Sequence, residues 1–381
     1  MTFLHTGDWQ LGMTRHFLAG EAQHTYNAAR EDAVVRIGEL AVSTGAEFVV
    51  VCGDVFEDPR VSSRVIRRTL DALAAYPVPV YLLPGNHDPD DATSVYRSRT
   101  FVADCPPNVT VLDRAGVVRV REGVSLVAAP WHSKRPTSDL VGDQVAALGT
   151  GEDIRIVVGH GGLDSLAPGD EPSIIRRAAL DVAVAAGLVD YVALGDRHSK
   201  TQVDPSGRIW YSGSPEVTAF DHVESDPGHV LQVRLRRGGE SSVEVTPHRV
   251  GRWSFRTVLD DVNGAADLAR LRERLAAFDD KQRTVVQLGL VGTLSVAEGV
   301  ALEEMLAEFA DHFAALQIWE RKHRLTVVAD PSDVAGLGLQ GYAAQAAEEL
   351  AERAADDADP AAASAARSAL ALLYRLTEGA R

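Results

Sequence analysis

Short apolar runs alternate with amphipathic stretches along the first half of the chain. The apolar runs at 2–6, 47–52 and 78–83 each stop before a glycine or proline, which predicts buried strands. The stretches 22–44 and 60–75 carry apolar residues at helical spacing and predict helices between those strands. Alternating strands and helices are typical of an α/β layered domain.

The same region contains further short apolar runs that predict strands. They lie at 109–112, 117–120, 125–129, 154–158 and 191–194. Turn residues separate the first three, so we expect antiparallel pairing there. From 207 to 247 the pattern is strand and turn only.

The composition changes after about residue 250, where a second, smaller α/β pattern begins. It predicts strands at 255–259, 284–290 and 324–328 and helices at 265–277 and 296–315. The last part of the chain is rich in alanine and acidic residues, with Pro360 between two helical runs. We therefore expect domains at 1–248 and 249–332 and a helical region at 333–381.

The bulk composition is that of a soluble globular protein with a sizeable core. Hydrophobic residues make up 45% and charged residues 24% of 381 residues. The two cysteines, Cys52 and Cys105, form no CxxC pair, which excludes a disulfide framework and favours a reducing cytoplasm. The sequence shows no signal peptide and no apolar stretch long enough for a membrane helix, so we expect a cytoplasmic protein without membrane contact.

The net charge of −16 limits the classes of partner. It argues against a protein that coats nucleic acid with a basic surface. It does not exclude a nuclease, because bound divalent cations reverse the sign of the charge where a phosphate lies.

Five polar clusters carry the candidate chemistry, and each follows an apolar run. They are Gly7-Asp8-Trp9-Gln10, Gly53-Asp54, Gly85-Asn86-His87-Asp88, Gly159-His160-Gly161-Gly162 and Gly195-Asp196-Arg197-His198. Polar residues at strand ends gather in the crevice at the carboxyl edge of a sheet. Their carboxylate, imidazole and carboxamide groups suit Mn²⁺, Mg²⁺ or Fe²⁺, and two such ions can clamp a displacement at phosphorus.

These motifs resemble those of the calcineurin-like metallophosphoesterases, whose signature runs D-x-H, GDxx, GNHD, GH and GHxH. The resemblance spans residues 4 to 216 and implies a four-layer α/β/β/α sandwich. The segments 5–12 and 211–216 further resemble the nuclease subunit of the SbcCD DNA-repair complex. That likeness implies a smaller α/β capping domain, a manganese-dependent exo- or endonuclease acting in DNA repair and recombination, and an SMC-like coiled-coil ATPase partner that docks on the helical C-terminal region.

The resemblance also implies a role for each motif residue. Asp54 would bridge two divalent metal ions, and His87 would be the general acid. The other implied ligands are Asp8, Gln10 and His198 for one ion and Asn86, His160 and Asp196 for the other.

Gln10 and Asp196 depart from the family pattern, which has histidine at both positions. Oxygen ligands replace two nitrogens, so we expect a preference for Mn²⁺ or Mg²⁺ over softer ions. A weakly held ion with low activity is the alternative.

Three basic residues near the motifs, Arg15, Arg197 and Lys200, are candidates for holding substrate phosphates. The sequence leaves two other functions open: a phosphodiesterase or phosphatase on nucleotides or other small phosphoesters, and a weakly active binding subunit. Whether the chain forms a homodimer is also open.

Overall fold

The structure is a computed structural model, and it describes residues 1–166, 169–237, 242–328, 339–355 and 358–378. The chain divides into two compact units, Met1–Trp253 and Ser254–Arg381. The expected boundary between 332 and 333 lies outside the described residues.

Two six-stranded sheets form the centre of the first unit. Its strands, in chain order, are β1 (Thr2–Thr6), β2 (Val49–Cys52), β3 (Val80–Leu83), β4 (Val109–Val111), β5 (Gly116–Arg121), β6 (Val124–Ala128), β7 (Ile154–His160), β8 (Tyr191–Gly195), β9 (Thr201–Gln202), β10 (Ile209–Tyr211), β11 (His229–Arg236) and β12 (Ser242–Arg249). The first sheet has the order β12-β11-β1-β2-β3-β4, and the second has the order β5-β6-β7-β8-β10-β9.

The helices of this unit cover the outer faces of the sheets. They are α1 (Gly20–Thr44), α2 (Ser63–Ala74), α3 (Arg99–Asp104), α4 (Leu140–Ala146) and α5 (Arg177–Ala185). The long helix α1 ends at Gly45, whose φ of 64° suits a glycine cap. Helix α2 begins after Ser62, whose side chain accepts a hydrogen bond from the N–H of Val65.

Three layers of apolar side chains hold these elements together. Leu4, Val49 and Val51 face α1 and α2, whereas Phe3 and Val50 face the second sheet. The alternation follows from the two-residue period of a strand, which sends successive side chains to opposite faces. A third cluster joins the second sheet to α4 and α5. The expected four-layer α/β/β/α sandwich is therefore confirmed.

The second unit is a smaller α/β assembly built on a parallel sheet. Its strands are β13 (Ser254–Asp261), β14 (Thr284–Ser295), β15 (Ala315–Ile318) and β16 (Arg324–Val328), and its helices are α6 (Ala265–Ala276), α7 (Val296–Ala310), α8 (Tyr342–Ala354) and α9 (Pro360–Glu378). Strand β14 pairs in parallel with the other three. Ala354 of α8 and Leu370 of α9 pack with Val296 of α7, so the C-terminal helices share a core with this sheet.

Several local expectations need correction. Antiparallel pairing holds for β5 and β6, but β4 pairs in parallel with β3 and belongs to the other sheet. The expected helix at 296–315 ends at Ala310, and the strand β15 follows it. Within 207–247, residues 212–228 lie in a long loop instead of strands. None of the helices within the described ranges has the length and apolar character needed to span a membrane.

Candidate metal centre

All five polar clusters lie at the carboxyl ends of strands in the two sheets. Asp8 follows β1, Asp54 follows β2 and Asn86 follows β3 in the first sheet. His160 ends β7 in the second sheet, and Asp196 directly follows its neighbour β8. Because the sheets pack face to face, residues more than a hundred positions apart meet at one edge.

Asp8, Asp54 and His160 form the buried centre of the site. Each offers an oxygen or nitrogen atom, and these atoms lie within 4.8 Å of one another. Nε2 of His160 lies 3.4 Å from Oδ1 of Asp54. Two carboxylates and an imidazole at this spacing form a donor set that suits a divalent cation.

Asn86 and Asp196 complete the surroundings of His160. The terminal amide of Asn86 lies 2.7 Å from Nε2 of His160. Oδ1 of Asp196 lies 3.7 Å from the same nitrogen. The structure therefore brings together the three residues that were expected to hold one of the two ions.

His160 is held in one orientation by its other ring nitrogen. Nδ1 lies 2.8 Å from the carbonyl oxygen of Cys52, which can only accept a hydrogen bond. Nδ1 therefore carries a proton, and Nε2 is the nitrogen that faces the carboxylates of Asp54 and Asp196. The indole N–H of Trp131 donates to the carbonyl oxygen of His160 at 2.7 Å and fixes the backbone as well.

The backbone at four of the expected ligands adopts an unusual conformation. Among the described residues, the non-glycine positions with positive φ are Asp8 (53°), Gln10 (43°), Asp54 (54°) and Asp196 (92°). Such a conformation is disfavoured for residues with a Cβ atom and collects at functional sites. The fold thus maintains strained backbone at four of the candidate ligand positions.

Two glycines next to the ligands are required by close packing. A Cβ atom on Gly53 would lie 2.2 Å from Nδ1 of His160, and one on Gly85 would lie 2.2 Å from Oδ1 of Asp54. Neither distance is sterically possible. Gly53 therefore lets the first sheet approach His160 of the second sheet, and Gly85 lets the loops after β2 and β3 approach each other.

Gln10 and His198 form the other side of the site. The terminal amide of Gln10 lies 3.4 Å from Nε2 of His198. Oε1 of Gln10 is buried and has no hydrogen-bond donor among the described residues. A buried acceptor without a donor is uncommon, and a cation at this position would satisfy it. The residues present therefore fit a second divalent ion.

His87 lies at the exposed rim, next to Asp54. Its backbone N–H donates to Oδ1 of Asp54 at 2.9 Å. Its Nδ1 lies 2.8 Å from the carbonyl oxygen of Glu57 and therefore carries a proton there. The side chain is 38% exposed, so Nε2 is left accessible for proton transfer.

Asp88 shows how the GNHD turn is fixed. Its buried carboxylate accepts the N–H groups of Gly85 at 2.8 Å and Phe56 at 3.0 Å. The hydroxyl of Tyr96 donates to it at 2.7 Å. Burial, with the nearby charge of Asp54, raises the pKa of Asp88 to about 7.

Burial and neighbouring charges shift the pKa values of the groups at the centre of the site. Burial raises the pKa of Asp8 to about 6, although the charges of His198 and His160 oppose the shift. Burial lowers the pKa of His160, but Asp54, Asp196 and Asp8 outweigh it and raise that pKa well above 6.5. Protons on these groups therefore compete with a metal ion for the same atoms.

Glu224 is a functional candidate that the sequence motifs do not include. It lies in the loop between β10 and β11, and its Oε1 lies 2.8 Å from Nδ1 of His198. Burial raises the pKa of Glu224, but the hydrogen bond with His198, the charge of that ring and the hydrogen bonds from Thr218 and Ala219 together lower it. No strand end or glycine marks this residue, so the sequence carried no signal for it.

The three basic candidates occupy different environments. Nζ of Lys200 forms an ion pair with Asp226, and Nε of Arg197 donates to the hydroxyl of Thr201 at 2.9 Å. Arg15 has a buried Nε without an acceptor among the described residues. Phosphate binding by these side chains stays a prediction.

The sandwich and its strand-end ligands define the class of protein. Residues 1–200 match the family model described as calcineurin-like phosphoesterase, and the chain belongs to that family. Phosphoester hydrolysis assisted by divalent metal ions is the chemistry of this class. The expected family resemblance is confirmed.

Curated relatives extend the similarity beyond the family model. The chain is 26% identical to the SbcD component of the nuclease SbcCD from Rhodobacter capsulatus, over 61% of this chain and 66% of the relative. It is 25% identical to the protein of the same name from Escherichia coli, over 64% of this chain and 67% of the relative. The match thus spans about two thirds of these relatives. A shorter match, 32% identical over 23% of this chain and 19% of the relative, is with "DNA double-strand break repair protein Mre11" of Archaeoglobus fulgidus.

Proposed function

We propose that this protein is a metal-dependent phosphodiesterase that cleaves DNA. Two divalent ions, preferably Mn²⁺, would bind at the carboxyl ends of the strands. The proposal rests on one observation: the residues with strained backbone are also residues whose side chains can bind a metal ion. The described non-glycine residues with positive φ are Asp8, Gln10, Asp54 and Asp196, and all four are candidate ligands. Strain of this kind persists where function maintains it.

We assign the proposed donor atoms to two groups around Asp54. Gln10 and His198 would hold one ion together with Asp8, whose carboxylate interacts with the charge of His198. Asn86, His160 and Asp196 would hold the other, with Asp54 shared between the two. When bound, the ions would supply Lewis-acid stabilisation of a phosphoester and a nucleophile at neutral pH.

His87 is proposed as the group that handles the proton of the leaving oxygen. Nδ1 keeps its proton at the carbonyl oxygen of Glu57, so the acid would be the doubly protonated ring, which would give the leaving oxygen its second proton from the exposed Nε2. The backbone N–H of His87 donates to Oδ1 of Asp54, so this residue is adjacent to the proposed bridging carboxylate.

A polar cleft of about 480 Å³ beside His87 offers room for the substrate. Its lining includes Glu57, Asp58, Arg60 and Lys134 as well as His87. Nε of Arg60 donates to Asp58 at 2.8 Å. Acidic and basic side chains both line this cleft. A substrate phosphate would therefore bind there together with divalent cations, which offset the negative charge of the protein.

The polymer substrate and the partner are proposed from the relatives. Two are nuclease components of SbcCD, and the third is a DNA double-strand break repair protein. By analogy, residues 249–332 would act as a capping domain, and 333–381 would dock an SMC-like coiled-coil ATPase. A role in DNA repair and recombination follows from the same analogy.

The leading alternative is hydrolysis of nucleotides or other small phosphoesters. The open polar cleft and the net charge of −16 favour this alternative, because neither attracts a long polyanion. A weakly active binding subunit is the other alternative, since Gln10 and Asp196 depart from the family pattern.

A substrate panel distinguishes these functions. We expect Mn²⁺-dependent cleavage of end-labelled single- or double-stranded DNA and of bis-para-nitrophenyl phosphate, both lost in Asp54→Asn. Cleavage of bis-para-nitrophenyl phosphate without any cleavage of DNA would favour the small-substrate alternative. No turnover of any substrate with Mn²⁺, Mg²⁺ or Fe²⁺ would contradict the proposal and favour a binding subunit.

Metal analysis tests the identity of the ions. Protein purified without added metal should contain manganese or magnesium and no stoichiometric zinc, because Gln10 and Asp196 supply oxygen ligands. The double variant Gln10→His, Asp196→His restores the family pattern and should shift retention towards zinc. Stoichiometric zinc in the unmodified protein would contradict the proposed preference.

A further inference from the structure

We infer that Glu224 is a positioning residue that sets which nitrogen of His198 faces the metal site and so controls the affinity of the ion on the Gln10 side. The inference rests on the proposed two-metal site. Its geometric basis is the hydrogen-bond network around one buried carboxylate, which leaves a single consistent arrangement of protons.

Glu224 is 3% exposed, and both oxygens of its carboxylate are hydrogen-bonded. Oε2 accepts the N–H groups of Thr218 at 2.7 Å and Ala219 at 3.0 Å. Oε1 accepts the hydroxyl of Thr218 at 2.6 Å and lies 2.8 Å from Nδ1 of His198. Because an ionised carboxylate only accepts, Nδ1 of His198 must carry the proton in this contact.

The hydroxyl of Thr218 supports the same assignment. It lies 2.6 Å from Nδ1 of His198, and its single proton is directed to Glu224. The oxygen therefore presents a lone pair to Nδ1 and accepts from it. Both neighbours of Nδ1 require a proton there, which leaves Nε2 unprotonated in the neutral ring and aimed towards Gln10.

A carboxylate that accepts a hydrogen bond from the second ring nitrogen of a metal-binding histidine affects the metal affinity of the site. It fixes the tautomer and the ring orientation and makes the ligand nitrogen more basic. Loss of such a partner typically costs about 10–100-fold in metal affinity. The loop 212–228 would thus act on the site without offering a ligand of its own.

Glu224→Gln is the informative substitution because glutamine has one acceptor oxygen instead of two. If that oxygen stays with the N–H groups of Thr218 and Ala219, the amide donors face His198. Nδ1 must then accept, so the proton moves to Nε2 and blocks the ligand atom.

The test is a Mn²⁺ titration of the whole protein followed by the electron paramagnetic resonance signal of free Mn²⁺. We expect two bound ions in the unmodified protein and an affinity about 10–100-fold weaker for one of them in Glu224→Gln. Thr218→Val, a milder change that keeps the carboxylate, should weaken the same ion by a smaller factor. Asp204→Asn is the matched control, since this buried carboxylate holds its own loop through the N–H groups of Arg208 and Ile209.

A double-substitution cycle separates positioning from a purely structural role. In a His198→Ala background, Glu224→Gln should cause no further loss of affinity, because the nitrogen through which Glu224 acts is gone. An equal loss in both backgrounds would overturn the inference, as would unchanged Mn²⁺ binding in Glu224→Gln. Failure of the unmodified protein to bind two ions would overturn the proposed two-metal function itself, and this inference with it.

Discussion

The backbone N–H of His87 donates a 2.9 Å hydrogen bond to Oδ1 of Asp54. The proposed acid and the proposed bridging ligand are therefore connected through the main chain. A change in the His87 side chain leaves that bond intact, so proton transfer and metal binding can be tested separately.

His87→Ala should lower turnover of bis-para-nitrophenyl phosphate by about 10²–10⁴-fold, because the leaving oxygen loses its proton donor. The number of bound Mn²⁺ ions should not change. Steady-state kinetics and a metal titration on the same preparation measure both quantities. His132→Ala is the control, since this exposed ring lies 3.9 Å from Asp90 outside the ligand set; loss of bound metal in His87→Ala would assign His87 a ligand role instead.

Mn²⁺ affinity should rise with pH above 6.5. For His198, burial lowers the pKa, but the bond to Glu224 and the charge of Asp8 outweigh it and the net pKa is raised. The pKa of His160 is raised as well, so both rings retain protons above 6.5 in the metal-free protein. The ion must displace those protons, which favours binding at higher pH.

Calorimetry in two buffers of different ionisation enthalpy would measure the released protons. We expect a net release of protons on Mn²⁺ binding that diminishes as the pH rises. An affinity that stays constant as the pH rises above 6.5 would contradict the protonation of these rings.

Gly85→Ala should destabilise the fold and weaken metal binding together. The added Cβ would lie 2.2 Å from Oδ1 and 2.5 Å from the backbone nitrogen of Asp54. The loop that carries Asp54 must therefore move. Overpacking of this kind typically costs about 1–3 kcal/mol. Urea unfolding and Mn²⁺ titration measure the two effects, with Gly149→Ala as control because its Cβ meets nothing within 4 Å. Equal stability in both variants would show that the loop relaxes freely.

Buried His5 should make the metal-free protein sensitive to acid. Burial lowers its pKa to about 3, so the folded state takes up no proton where the unfolded state does, below 6.5. The stability it contributes is present above 6.5 and is lost as the pH falls towards 3. Between pH 6.5 and about pH 5, the loss is about 2 kcal/mol for this one proton.

The matched variant for this test is His5→Gln. It keeps a polar group for the hydroxyl of Tyr191 and the carbonyl oxygen of Leu194 but does not titrate. Asp8 and Asp88, whose pKa values are raised, act in the opposite direction in both proteins and cancel in the comparison. A pH dependence of the unfolding free energy that is the same in both proteins would contradict the prediction.

Much of the fold followed from local patterns, and the misses have physical causes. Strand β1 was predicted at its observed bounds because a short apolar run ending at Gly7 has few other structures open to it. The strand Ala315–Ile318 was missed because it follows α7 closely and its side chains are only half buried. Strand β4 was given the wrong partner, since periodicity predicts a strand but not the sheet to which it belongs.

The sequence by itself determined which residue types stand at the strand ends, from Asp8 to His198, because a glycine and a polar residue after an apolar run form a local signal. Only the tertiary structure decided how they meet. Positive φ at Asp54, the proton on Nδ1 of His160 and the contact between Glu224 and His198 all depend on backbone that other parts of the chain supply. Burial makes such long-range contacts strong, and a linear pattern does not encode which distant group is buried against which.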